Sequence, residues 1–263
     1  MKEKLALYAV FCNPDLGLKG NTSAVILLNE EKSDGYLLQL AEEINQPATT
    51  YLTKNDSNYN VKWFAPDAEI QLCGHGSAAG AAFLFDHQKE TRPVMESTRQ
   101  TIKSNVDQHK ASILLSTIDL TEEAEITETL KKGLGIPVVR HFRTGNKNLV
   151  IAESEADVRA MEPDFALLRQ LPDFGYIVTA QSSEVDFVSR TLVPKVKQLE
   201  DPATGSSHAV LTTYWSQKLN KKHLKGIQLS KRGGYFECEI SGDLVTLTGF
   251  YKKIFSGAVD ILI

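Results

Sequence analysis

Two short segments hold most of the side chains able to move a proton. Cys73-Gly74-His75-Gly76-Ser77 and Asp201-Pro202-Ala203-Thr204-Gly205-Ser206-Ser207 each lead into an apolar helical pattern. A carboxylate on one side and an imidazole on the other can pass a proton across a bound substrate if their surroundings push their pKa values apart. Cys73 adds a thiol at a helix start, the setting in which thiolates form most readily. A Gly-Ser step leaves backbone N–H groups free where the helix dipole is positive. Gly74, Gly76 and Ser77 on one side, and Gly205, Ser206 and Ser207 on the other, are therefore candidate cradles for a small anion. Plainer readings stand beside these. Cys73 also reads as a buried small hydrophobe, Asp201 as an N-cap, His75 as a hydrogen-bonded structural residue, and either motif as a capped helix without a ligand. His208 lies inside the second helical pattern and reads as structural. The other histidines are isolated and carry no metal-ligand spacing, so no metal is indicated. Gly-x-Gly-x-x-Gly, Walker-type and Gly-x-Ser-x-Gly signatures are absent, and no cofactor is indicated.

The elements that must position these residues form a repeat. Phe64-Ala65-Pro66 and Leu192-Val193-Pro194 lie 128 residues apart, as do Cys73 and Asp201, while Gly76-Ser77 and Gly205-Ser206 are offset by 129 and Gly20-Asn21 and Gly145-Asn146 by 125. In each half the order is strand, proline turn, polar residue, Gly-Ser, helix. Strand-like runs cover 5–11, 24–28, 49–52, 60–64, 111–115, 148–152, 176–179, 186–190, 234–240 and 244–249. Helical patterns cover 35–44, 76–86, 121–134, 166–171 and 206–219. Few helices among many short strands point to α+β architecture, not a doubly wound parallel sheet. The expected division is a domain of 1–118, completed by 255–263, and a second of 119–254, with Thr121 capping an acidic helix start. Halves related by a pseudo-twofold axis would bring the two helix starts to one cleft.

Composition bounds the partners. The 263 residues are 42% hydrophobic and 24% charged, ordinary globular values. With 29 Lys and Arg against 33 Asp and Glu, the net charge is −4, which disfavours nucleic acid and anionic membrane surfaces. The basic stretch 218–225 reads as a solvated helix end. The longest apolar run, 78–85, is far too short to span a bilayer, and no signal peptide is recognisable. Three widely spaced cysteines, Cys12, Cys73 and Cys238, fit free thiols in a reducing, cytoplasmic setting.

At VKWFAPDAEIQLCGHGSAA (61–79), EDPATGSSH (200–208), GNTSAV (20–25) and QLSKRGG (228–234), the sequence resembles the PhzF-like family of phenazine biosynthesis over nearly the whole chain. The resemblance implies the diaminopimelate epimerase fold: two pseudo-symmetric α+β domains, each a mostly antiparallel sheet wrapped around a central helix. It further implies cofactor-independent isomerisation by proton shuttling, and a homodimer. The family's principal acid/base is a glutamate in a short Asn-x-Ser-Glu-Thr segment. The matching stretch here is Asn45-Gln46-Pro47-Ala48-Thr49, with Ala48 in the glutamate's place. Glu42, Glu43 and Glu69 offer no evident replacement. His75, Asp201, Gly74, Gly205 and Ser206 keep the family's other site positions. Epimerase cousins use two facing cysteines, whereas this chain pairs Cys73 with Asp201. Two readings follow: an isomerase for a small anionic, carboxylate-bearing metabolite, or a catalytically silent relative that binds a metabolite or a protein.

Overall fold

The computed structural model describes residues 2–145 and 147–260. The chain forms two compact units, one running to Leu115 and completed by the return from Thr248, the other Ser116–Leu247.

In the first unit, β1 (Lys2–Cys12) and β2 (Asn21–Leu28) are antiparallel. Gly20, with φ of +65°, leads into β2; a Cβ there would sit 2.1 Å from the Val10 carbonyl oxygen, so the position requires glycine. Gly145 has open space around it. The packing reason for Gly20 is therefore not repeated at its sequence counterpart, and Asn146 lies outside the described residues. Helix α1 (Asp34–Ile44) is capped by Ser33 and stopped by Asn45 in the left-handed region. β3 (Ala48–Asn55) then runs parallel to β2, and β4 (Asn58–Ala65) returns antiparallel to it, with β5 (Ala68–Ile70) as a short hairpin arm. After α2 (Gly74–Gln88) come β6 (Val94–Glu96), parallel to β4, and the antiparallel pair β7 (Thr101–Val106) and β8 (Lys110–Ser116).

The last strand, β17 (Leu244–Asp260), pairs with both β8 and β1, closing the strands into a ring around α2. Residues Gly74 to Leu84 of α2 are all buried. A helix apolar on every side is stable only when enclosed. Its small residues at Gly76 and Gly80 let β3 approach, with Thr50 and Leu52 packed against them.

The second unit contains β9 (Glu122–Glu123), α3 (Glu128–Leu134), β10 (Val138–Arg143), β11 (Asn148–Ala152), α4 (Glu155–Ala160), α5 (Phe165–Arg169), β12 (Tyr176–Gln181), β13 (Phe187–Val193), β14 (Leu199–Asp201), α6 (Gly205–Leu219), β15 (His223–Gln228) and β16 (Gly234–Ser241). Its pairing repeats that of the first. β11 is parallel to β12, β12 antiparallel to β13, and β13 parallel to β15, with β14 as the hairpin arm. The sequence repeat is thus a repeat of strand order, with α6 in the place of α2.

The structure corrects three expectations. Residues 121–134 are not one helix: Glu122 and Glu123 form β9 opposite Arg143 and Phe142, pinned by ion pairs to Arg143 and Arg140, and the helix begins at Glu128 under a Thr127 cap. Cross-strand charge pairing there outweighs the local helix signal. The return to the first unit comes at Thr248, ahead of residue 255, because the Thr248 hydroxyl already bonds Ser112 at 2.8 Å. β17 is described as far as Asp260, opposite Lys2; residues 261–263 of the expected final strand lie outside the described residues. The basic stretch 218–225 is only in part a helix end: Lys225 lies on β15, and Lys221 pairs with Asp186. Strands β7, β10 and β15 were not legible, since Lys, Arg, Ser or Gly interrupts their apolar alternation. Among the described residues, no helix is long and apolar enough to cross a membrane.

Candidate active site

In the first unit the site residues are gathered at the head of α2. Cys73 is its N-cap, and its sulfur accepts the Gly76 N–H at 3.3 Å, the place an Asp or Ser oxygen would usually take. The His75 ring lies beside it, with Nδ1 and Nε2 3.6 and 3.7 Å from Sγ, so either ring nitrogen is within reach of the thiol proton. Both residues are buried. A sulfur at the positive end of a 15-residue helix, already accepting one backbone N–H, is in a setting that favours negative charge. The other two cysteines differ. Burial pushes the Cys238 thiol up to about 12, and Cys12 donates to the Phe250 carbonyl at 3.3 Å.

Ser77 behaves otherwise than a ligand-binding residue. Its hydroxyl donates to the Cys73 carbonyl at 2.7 Å, and its N–H reaches the same oxygen at 2.9 Å. Gly74 and Gly76 supply backbone to the same turn. Ala48 stands at the start of β3, fully buried and two residues before Thr50, hence on the same strand face. Thr50 meets Gly76, and Leu52 meets Gly80 one turn further along. Ala48 therefore falls toward the head of α2, and no carboxylate stands there on β3. Glu42, Glu43 and Glu69 are exposed.

In the second unit Asp201 ends β14, and the N-cap of α6 is Thr204, so Asp201 is not the cap. The Thr204 hydroxyl makes no capping bond; it donates to the Asp201 carboxylate at 2.7 Å. The turn between them is clamped by a residue whose role only the fold reveals. Gln228, fully buried on β15, accepts the Thr204 N–H at 2.9 Å and donates its amide to the Asp201 carbonyl. Ser230 adds a bond to the Pro202 carbonyl at 2.6 Å. Ser206 accepts from Lys147 at 3.2 Å, and Lys147 is a further residue that sequence spacing missed. Ser207 is turned inward, accepting from Thr191 at 3.1 Å. The hydroxyls of Ser77 and Ser207 are thus engaged inside their own units, which leaves Gly74, Gly205 and Ser206 as the stronger candidates for ligand contact.

His208 is structural. Its Nδ1–H donates to the Thr204 carbonyl at 2.9 Å, its ring stacks on Phe236, and burial pushes its pKa down to about 3. The folded state therefore refuses a proton that the unfolded chain accepts below about pH 6.5. Stability is full above that pH and is lost as pH falls toward about 3, at up to about 1.4 kcal/mol per unit, with His87, also lowered by burial, acting in the same direction. Urea melts at several pH values check this; the slope is expected to be shallower in His208→Gln. Among the described residues, no group of three or more His, Cys, Asp or Glu is placed to hold a metal ion.

Comparison with known proteins gives these two clusters a context. The family described as phenazine biosynthesis-like protein matches residues 8–249. The chain belongs to the PhzC-PhzF family. An uncharacterised isomerase of Pseudomonas aeruginosa is 35% identical over 92% of this chain and 93% of its own length. The crystal structure of a PhzF-family protein from Enterococcus faecalis matches with a TM-score of 0.91 at 30% identity, covering 99% of this chain and all of the other. A predicted epimerase from Pseudomonas aeruginosa, 13% identical over 98% of this chain and 99% of the other, shares the fold with a TM-score of 0.80. The protein is therefore a PhzF-like member of the isomerase family with the diaminopimelate-epimerase-like α+β fold. QLSKRGG, which marks family membership in the sequence, contains Gln228 and Ser230, the two clamps on the Asp201 turn.

Proposed function

We propose that this PhzF-like protein is a cofactor-independent isomerase that moves one proton on a small carboxylate-bearing metabolite. The observation that carries the reading is Cys73: an N-cap sulfur accepting a backbone N–H, with both His75 ring nitrogens within 3.7 Å. In the family the corresponding proton carrier is a glutamate at the position of Ala48, and a methyl group cannot hold a proton. Cys73 and His75 take over that task. His75 accepts the thiol proton, the thiolate removes a proton from a substrate C–H, and Asp201 in its acid form delivers a proton elsewhere on the carbon skeleton. The substrate's composition is unchanged, and exchange with water resets the carriers. Backbone at Gly74 and Gly205 and the Ser206 hydroxyl serve the anionic groups of the substrate.

Incubation of a panel of small carboxylic acids in heavy water tests this. The expected result is deuterium incorporation into one acid, reduced ~10²–10⁴-fold in Cys73→Ser with the fold retained. Ala48 favours a second reading, binding without turnover. An acid that raises the melting temperature yet takes up no deuterium establishes that reading and overturns the first. A homodimer belongs to the proposal, supported by Ile254 and Phe255 of β17, each about half exposed. A monomer in sedimentation contradicts it.

A further inference from the structure

We propose that the indole N–H of Trp63 is the donor that receives the negative charge of Cys73 when its proton leaves. β4 sets Trp63 opposite Thr50 of β3, with the side chain buried. Its Nε1 has no hydrogen-bond partner among the described residues. The other tryptophan is satisfied: Trp215 donates to Thr179 at 3.1 Å. Orphaned buried donors are rare and call for an explanation. The ring edge that carries this one is at the head of α2. Cδ1, the carbon bonded to Nε1, lies 2.5 Å from the point a Gly76 Cβ would occupy, and Cys73 Sγ lies 2.9 Å from the same point.

The remaining polar groups there are already committed. Thr50 Oγ1 donates to the Gly76 carbonyl at 3.2 Å and shares a bond of 2.9 Å with Ser23, and the Gly76 N–H is on Sγ. Ser23 on β2, Thr50 on β3 and Trp63 on β4 do not titrate near neutral pH, whereas His75, on the helix itself, is a titratable group in contact with the thiol. A neutral thiol is a weak acceptor, whereas a thiolate is a strong one. The indole donor is thus left unsatisfied in the resting state and satisfied in the charged state, a difference that favours the charged state selectively. Trp63 is a positioning residue in this role. The inference rests on the reading of Cys73 as a proton carrier, but its test does not need turnover.

The test is a titration of protein labelled with nitrogen-15 at the two indoles, followed by NMR alongside the ultraviolet absorbance of the thiolate. The Trp63 N–H signal is expected to shift with the Cys73 midpoint while the Trp215 signal stays still. In Cys73→Ser, which keeps His75, the Trp63 shift disappears. In Trp63→Phe, which keeps the packing and removes the donor, the Cys73 midpoint rises by about one unit, so about tenfold less thiolate is present at a given pH. A Trp63 signal fixed through the Cys73 midpoint, or one that still titrates in Cys73→Ser, overturns the proposal. An unmoved midpoint in Trp63→Phe does so as well. If Trp63→Phe fails to fold, Trp215→Phe assigns the signals and the unaltered Trp63 still reports. Loss of deuterium exchange with this titration intact sinks the isomerase reading alone.

Discussion

Asp201→Asn is expected to lower deuterium exchange into the substrate by ~10²–10⁴-fold, with substrate affinity and melting temperature little changed. The substitution removes the ionisable acid proposed to carry the proton and keeps the shape of the side chain. The turn that holds it is fixed through main chain: Gln228 binds the Asp201 carbonyl and the Thr204 N–H, and Ser230 binds the Pro202 carbonyl. The bond that its carboxylate accepts from Thr204 at 2.7 Å can be kept by the amide oxygen of asparagine. A helix cap at Asp201 would predict the reverse, a loss of about 1 kcal/mol in stability with activity intact, but the cap position belongs to Thr204. Exchange rates and thermal melts measured on the same protein separate the outcomes. Full exchange in Asp201→Asn removes this residue from the mechanism.

Gly76→Ala is expected to damage stability and the Cys73–His75 pair together. The added Cβ would meet Trp63 Cδ1 at 2.5 Å, Cys73 Sγ at 2.9 Å and Thr50 Oγ1 at 2.9 Å. The indole is a rigid ring buried in the core and has nowhere to withdraw. Overpacking of this kind costs about 1–3 kcal/mol, and the roughly 1 kcal/mol that alanine gains over glycine in a helix offsets it only in part. A drop in melting temperature of several degrees is expected, together with loss of thiolate formation at Cys73. Gly80→Ala, one turn along, is the control. Its Cβ would meet Met95 Sδ at 3.1 Å, a flexible thioether that can shift, so its effect is expected to stay within about 1 kcal/mol. Equal losses in the two variants would mean that the crowding at Gly76 has no special consequence.

Much of the architecture was legible in the residues. The two helices at the heart of the units announce themselves as long apolar runs after Gly-Ser, and the turns before them by proline at matched spacing. Such signals are local: a helix that lacks charge for more than two turns must be enclosed wherever it lies in the chain. The misread acidic segment at 121–134 shows where locality fails. Its Thr and Glu residues carry a sound helix-start signal, but Arg140 and Arg143, some twenty residues away, draw Glu122 and Glu123 into a strand.

The candidate site divides along the same line. The sequence by itself determined which residues can carry protons, that they stand at the heads of two related helical patterns, and that the chain resembles the PhzF-like family. Only the tertiary structure decided what each of these residues touches. It turned the Ser77 and Ser207 hydroxyls inward, put Gln228 across the Asp201 turn, and set the Trp63 indole against Gly76 beside the Cys73 sulfur. Periodicity reports the geometry within one element, where neighbours are three or four residues apart. These contacts join residues up to 27 apart in the chain, brought together by the pairing of strands and their packing against the helix in each unit, and no local pattern encodes that pairing.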